Sequence, residues 1–338
     1  IYCSPVPVFG PTASLLSEVR GVQHSKIAVF DDDVVISGAN LSEDYWTHRQ
    51  DRYLVLKDVP DIADFCNACV QLLAQHGQAY HPDRDSSTFT SCHSGDQQTG
   101  SLVSSLQAMI DEWRGAYPPP DAEAIAAGGC WLVPLVQLAS LIQTERQAVN
   151  WLLDTASGRE EGKSALPLLL SSPYLNLPDD YAQRLMSRPL HMSGGSSKAR
   201  QSAQGNEEAT ATASTAPVER TLLSALPSAS GFFGASGVRG LIPHVYSALA
   251  DRLLSASAAK GRSFRMTYYA RPNWTFHAKG LWLWPPQTGE GWEIARTQLG
   301  DNQRTQAKEL NGHHSACAPI LSLIGSSNLS VRSTRRDW

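Results

Sequence analysis

No stretch of this 338-residue chain runs through the eighteen or so consecutive apolar residues that a membrane span requires. The best candidate, WLVPLVQLASLI from Trp131, is too short and is broken by Pro134 and Gln137, so any contact with a bilayer must be peripheral. A surplus of either charge is also missing. The formal net charge is only −4, which argues against nucleic acid as the main partner, because a duplex binder displays a basic excess. Cysteine is sparse: Cys3, Cys66, Cys69, Cys92, Cys130 and Cys317 are too few and too scattered for a disulfide scaffold. Cys66 and Cys69 form the one close pair. They share helical spacing with Ile62, Phe65, Leu72 and Leu73, which puts both thiols on a buried face, and no second pair completes a zinc site. The chain starts at Ile1 without a methionine or a targeting segment and reads as a piece of a longer protein, so the lack of a transit peptide says nothing about location.

What the sequence does hold is His-x-Lys twice, at His24-Ser25-Lys26 and at His277-Ala278-Lys279. Two residues apart in extended chain, a histidine and a lysine point to the same face, so each copy presents an imidazole beside an ammonium. The first copy goes further. His24, Lys26, Asp31, Gly38 and Asn40 fit a single pattern, H-x-K, four residues, D, six residues, G, then x-N. Chance gives that match in a chain of this size with a probability on the order of one in ten thousand.

The second copy reads WTFHAKGLWLW, and its downstream half, LIGSSNLSVRSTRRD with Asn328, lies much further along. The intervening stretch, 285–320, is polar and rich in turn residues, which suits a loop thrown out of a hairpin whose strands still pair beneath it. Trp284 stands where the first copy has Asp31.

Two such sets supply what phosphodiester exchange needs: a nucleophile, an acid for the leaving group, and donors for the nonbridging oxygens. One histidine attacks phosphorus; the other protonates the departing group and then deprotonates the acceptor. Lys26, Lys279, Asn40 and Asn328 cradle the oxygens without a metal or any other cofactor.

Around the motifs, strands are expected at Lys26 to Phe30, Val34 to Ser37 and Tyr53 to Leu56, then a helix from about Asp61 to Gln75. The polar stretch HPDRDSSTFTSCHSGDQQTG marks a domain boundary, giving domains 1–90 and 91–338. The second half is expected to open on a helix near Leu102 to Trp113, with strands at Trp131 to Leu138 and Leu166 to Ser171. Alternating β and α implies sheets with helices on both faces. Residues 192–217 hold almost no large apolar side chain and are expected to be a disordered insertion.

The chain resembles the phospholipase D superfamily and, within it, the eukaryotic mitochondrial phosphatidylglycerophosphate synthase family. The likeness is carried by the segment from Gly21 to Tyr53, SSPYLNL from Ser171, GFFGASGVRGLIP from Gly231, and WTFHAKGLWLW from Trp274. The missing second aspartate fits that family too. The resemblance implies an α/β fold of two mixed-sheet domains related by a pseudo-twofold axis, the first incomplete in this chain. It implies His24 as nucleophile, His277 as acid then base, and Asp31 as a supporting residue. Asp51 and Asp337 would each orient the histidine of their own motif. Tyr174, Asn176, Gly234, Gly237 and Arg239 would contact substrate, the glycines by letting backbone amides approach a phosphate.

The implied reaction converts CDP-diacylglycerol and sn-glycerol 3-phosphate to phosphatidylglycerophosphate and CMP through a phosphohistidine, the committed step toward phosphatidylglycerol and cardiolipin. The implied location is the matrix side of the inner mitochondrial membrane, in peripheral contact with lipid. Rival readings are a phosphatidyltransferase of the phosphatidylserine or cardiolipin synthase type, a nuclease-like phosphodiesterase, and an inactive lipid-binding scaffold.

Overall fold

A computed structural model describes residues 23–76, 96–159, 164–187, 218–262, 264–285 and 319–335. Asp337, the insertion 192–217 and nearly all of the loop 285–320 lie outside these described residues. The elements are β1 (Ile27–Phe30), β2 (Asp33–Ser37), α1 (Glu43–Thr47), β3 (Arg49–Gln50), β4 (Tyr53–Leu56), α2 (Pro60–Gln75), α3 (Asp96–Ala116), α4 (Ala122–Ala126), β5 (Gln137–Leu138), β6 (Ile142–Gln143), α5 (Thr144–Ser157), β7 (Leu168–Ser171), α6 (Asp179–Leu185), β8 (Arg220–Ala225), α7 (Ile242–Ala259), β9 (Arg265–Tyr269), β10 (Thr275–Phe276), β11 (Gly280–Leu283), β12 (Leu321–Leu323) and α8 (Val331–Arg335). The expected mixed α/β architecture is present.

The chain forms two compact units. One comprises 1–148, 272–279 and 324–338; the other comprises 149–271 and 280–323. This partition runs along different lines from the two motif-bearing domains expected at 1–90 and 91–338.

In the first unit, β1, β2 and β4 make an antiparallel sheet with Val34 facing Val29 and Leu56. Asp31 opens the two-residue turn between β1 and β2 and takes a left-handed backbone, φ 51°, which aspartate tolerates better than most residues. Pro60 starts α2 because a residue at the head of a helix needs no N–H partner. Its Ile62, Phe65 and Cys66 are buried against Val34 and against Leu102, Leu106 and Ile110 of α3. Phe65 meets Trp113 edge-on, with ring centroids 5.5 Å apart. The two thiols occupy the expected apolar face, and burial pushes Cys66 up to about 11 and Cys69 up to about 12, so neither is a thiolate at neutral pH.

One strand expectation needs correcting. Of Trp131 to Leu138, only Gln137–Leu138 pairs, with Ile142–Gln143 across a tight turn. Pro134 lacks an N–H for a ladder, and Trp131 and Val133 are left exposed.

The second unit is built on a five-stranded mixed sheet in the order β12-β11-β7-β8-β9. β7, β8 and β9 run parallel, and α7 makes the crossover between β8 and β9. β11 lies antiparallel between β7 and β12, with Leu281 opposite both Leu170 and Leu323. The hairpin strands therefore pair beneath the long insertion as expected. Gly280 is required here: its φ is +154°, and a Cβ would lie 2.4 Å from the Trp282 ring and 2.8 Å from the Leu323 carbonyl oxygen.

Candidate active site

Both His-x-Lys tripeptides belong to the first unit, each in extended chain just before a strand, β1 for His24 and β11 for His277. Each lysine folds back on its own histidine. Lys26 Nζ donates to the His24 carbonyl at 2.6 Å, and Lys279 Nζ donates to the His277 carbonyl. The antiparallel partners, β2 and β12, each lead into the motif asparagine, so the copies share local topology as well as spelling.

The pairing that assembles the site is only two residues long. β3 runs parallel to β10, with Arg49 beside Thr275 and Gln50 beside Phe276, and the His277 N–H donates to the Gln50 carbonyl at 2.7 Å. One residue on, Asp51 and His277 meet: Asp51 Oδ2 lies 2.7 Å from His277 Nδ1. This corrects the expectation that Asp51 serves the histidine of its own motif. Parallel pairing in that register carries Asp51 to the second motif's histidine. Because the carboxylate can only accept, this contact calls for the proton on Nδ1, and Lys279 Nζ, 2.6 Å from the same atom, shares it only as a neutral amine.

Lys279 completes the cluster. Its Nζ lies 2.6 Å from His277 Nδ1 and 3.8 Å from Asp51 Oδ2, and its side chain is 1% exposed. Burial drives Lys279 down to about 7, with Asp51 opposing the shift and the charges of Lys26 and Arg49 adding to it. The action of Lys26 on Lys279 links the first motif electrostatically to the second. Burial also lowers His277 to about 4, and the Asp51 hydrogen bond offsets only part of the shift. The imidazole is therefore neutral at pH 7.

Gly38 earned its place in the sequence pattern for a reason visible only here. A Cβ at that position would lie 2.8 and 3.0 Å from the two Asp51 carboxylate oxygens and 3.1 Å from Lys279 Nζ.

The other expected residues divide. Asn40 joins the cluster through Tyr45, to whose hydroxyl its Nδ2 donates at 3.5 Å. Asn328 sits in a tight turn of the same unit, followed by Leu329 with φ 51°, whose N–H donates to Ser327 Oγ at 3.2 Å. Asp31 is exposed in the β1–β2 turn and makes none of the contacts that build the cluster. Tyr174, Asn176, Gly234, Gly237 and Arg239 belong to the second unit. There Tyr174 packs against Phe232 and Tyr246 at 5.7 and 5.2 Å between centroids, which anchors the glycine-rich loop. Gly234 and Gly237 take positive φ with open space around the Cβ position, and Arg239 is exposed on the 3-10 turn Gly237–Leu241.

Two residues of the first unit escaped the sequence reading. Tyr45, 6% exposed, sits against the His277 ring; its spacing five after Asn40 was visible but matched no expected role. Glu145, in the first turn of α5, hydrogen-bonds Ser327 beside Asn328, and burial holds its carboxyl above the usual range.

A neutral imidazole with its tautomer fixed, two lysines and an asparagine can hold and attack a tetrahedral anion. Such a cluster is chemically suited to phosphoryl transfer. The resemblance drawn from the motifs is borne out by relatives of that kind. Proteins named mitochondrial CDP-diacylglycerol–glycerol-3-phosphate 3-phosphatidyltransferase match over 95% of the chain, at 28% identity in Bos taurus and 27% in Homo sapiens. The Saccharomyces cerevisiae enzyme of that name matches at 24% over 86% of the chain. The chain spans about half the length of these curated relatives, 51% of the bovine protein and 54% of the yeast one. No family model matches. Among solved structures, a phosphatidylserine synthase from Haemophilus influenzae aligns over 79% of this chain and 52% of its own, with 16% identity and a TM-score of 0.47.

Proposed function

We propose that this chain transfers a phosphatidyl group from CDP-diacylglycerol to sn-glycerol 3-phosphate, releasing CMP and forming phosphatidylglycerophosphate. The two substrates are those in the relatives' name. The observation that carries the chemistry is the Asp51–His277–Lys279 cluster, which holds one imidazole in a defined tautomer among cations.

Exchange proceeds in two displacements. In the first, the Nε2 of one histidine attacks the phosphorus that bears diacylglycerol; a P–N bond forms, the bond to the CMP oxygen breaks, and the other histidine gives that oxygen its proton. In the second, the same partner histidine takes the proton from a glycerol 3-phosphate hydroxyl, whose oxygen attacks phosphorus as the P–N bond breaks. Both histidines end as they began. The lysines and asparagines take up charge on the nonbridging oxygens. His24 attacks and His277 manages protons. For His277 to act as an acid from a resting value of about 4, the bound pyrophosphate must raise it, which an anion beside an imidazole does.

Because its acyl chains stay in the bilayer, the donor substrate is met at a lipid surface, and the chain acts in peripheral contact with it. The relatives' names support a mitochondrial surface, and the matrix side of the inner membrane is proposed from the family resemblance alone.

The test is CMP release from CDP-diacylglycerol with and without glycerol 3-phosphate. Transfer should depend on the acceptor and persist with EDTA, and His24→Ala and His277→Ala should each lower turnover by at least roughly a thousandfold. Near-normal turnover in either variant, loss with EDTA that one metal restores, or preference for serine or phosphatidylglycerol as acceptor would overturn the corresponding part.

A further inference from the structure

Tyr45 is placed as no packing residue needs to be. It lies on the five-residue helix α1, buried, with its ring edge-on to His277 at 5.3 Å between centroids and 76° between planes. Its hydroxyl is 3.2 Å from His277 Nδ1 and 3.5 Å from Nε2. With the Nδ1 proton directed to Asp51, the Nε2 lone pair is the acceptor on the ring that the phenol proton can reach. On its other side the phenol oxygen accepts from Asn40 Nδ2. The guanidinium of Arg49 lies over the Tyr45 ring, 4.7 Å from its centroid, and pins the ring in place.

The result is a donor chain that runs from the amide of the first motif, through a phenol, to the imidazole of the second. A phenylalanine would fill the same space. The hydroxyl adds this link between two motif residues, together with a hydrogen bond to Arg49. Burial raises the phenol above its ordinary range, so it keeps its proton throughout the neutral region and has it to donate.

We propose that Tyr45 is a further catalytic donor: its hydroxyl caps His277 Nε2 in the resting site and turns onto a nonbridging phosphoryl oxygen when Nε2 engages the leaving or entering oxygen. The proposal rests on the two-histidine transfer set out above. No covalent bond changes at Tyr45; one hydrogen bond is exchanged for another, and the proton stays on the phenol. The cap keeps Nε2 directed and solvated until phosphate arrives, then supplies a donor beside Asn40 where charge develops.

Tyr45→Phe removes one oxygen, and with it the hydroxyl's hydrogen bonds, and leaves the edge contact and the stacking of Arg49 on the ring in place, so it is the test. Two measurements are taken on the chain with labelled histidine, once the thermal midpoint of the variant has been matched to wild type. The first is an NMR titration of His277 without substrate. Loss of a donor to the neutral Nε2 should move its pKa upward, by about half a unit or more. The second is the steady-state rate of phosphatidyl transfer. kcat should fall about a hundredfold, with KM for CDP-diacylglycerol changed by less than about threefold. An unmoved His277 titration overturns the proposal whatever the rate does, and so does an unchanged kcat. A wild-type chain that makes no phosphatidylglycerophosphate overturns the substrate assignment instead, and the titration still decides whether Tyr45 caps Nε2.

Discussion

At the scale of single residues, the site depends on one carboxylate serving an imidazole and an amine in a dry setting. Asp51 and Lys279 side chains are each 1% exposed and His277 8%, so a charge on either nitrogen group has little water to share it. Replacing Asp51 by Asn removes the charge that opposes desolvation and leaves an amide that can turn either its oxygen or its NH2 to Nδ1, so the tautomer is no longer held. The expected result is a fall in kcat of about a hundredfold or more, with His277 titrating still lower than its present value of about 4, read by NMR. An unchanged tautomer and rate would show that Asp51 only packs. The same shift sets a pH dependence of stability. His277 is depressed in the folded chain, so the unfolded chain binds a proton that the folded one refuses. The contribution is fully present above the ordinary value of 6.5 and is lost as pH falls from there toward about 4. Thermal midpoints measured across that window should fall more steeply for wild type than for His277→Gln.

At the scale of elements, the sequence shows which segments form and hides which of them meet. β1, β2, β4 and α2 were legible because alternation, helical spacing and the proline at Pro60 all act within a few residues of chain. Paired His-x-Lys motifs were legible for the same reason. The partner of Asp51 was not, since it depends on a two-residue parallel pairing between segments far apart in sequence, β3 and β10, and no local periodicity reports that register. Tyr45 was missed because a tyrosine on a short helix looks like packing until its hydroxyl is placed. Gly38 shows the reverse case: its spacing in the pattern was plain, and its reason is the space taken by Asp51 and Lys279. Gly38→Ala should push the carboxylate off His277 rather than unfold the sheet, because the atoms it meets are side-chain ends. Its thermal midpoint should stay near wild type while kcat falls, and combining it with Asp51→Asn should add little further loss. Additive losses in the double variant would mean that the methyl acts elsewhere.

At the scale of the whole molecule, no described helix is long and apolar enough to cross a bilayer, and the proposed lipid donor calls for a surface that meets one. Among the described residues, two groups of exposed apolar side chains differ in how well they suit that contact. In the first unit Leu41 and Trp46 are 95% and 67% exposed, but Glu43 and Asp44 lie between them. In the second unit Phe233, Val238, Leu241 and Val245 are 60%, 79%, 60% and 54% exposed, and no aspartate or glutamate occurs from Arg220 to Ala250. Arg239 and His244 stand among them. Anionic headgroups repel the first group and attract the second, each nearby arginine contributing on the order of 1 kcal/mol. The second is also held rigid from beneath by Tyr174, Phe232 and Tyr246, so little ordering entropy opposes insertion. Sedimentation with vesicles of phosphatidylcholine, with and without phosphatidylglycerol, separates the two. The combined Phe233→Ser, Val238→Ser and Leu241→Ser variant should lose binding to anionic vesicles about tenfold or more, while Leu41→Ser with Trp46→Ser should bind as wild type does. Loss in the second variant alone would transfer the contact to the first unit, and equal binding to neutral and anionic vesicles would remove charge from its basis.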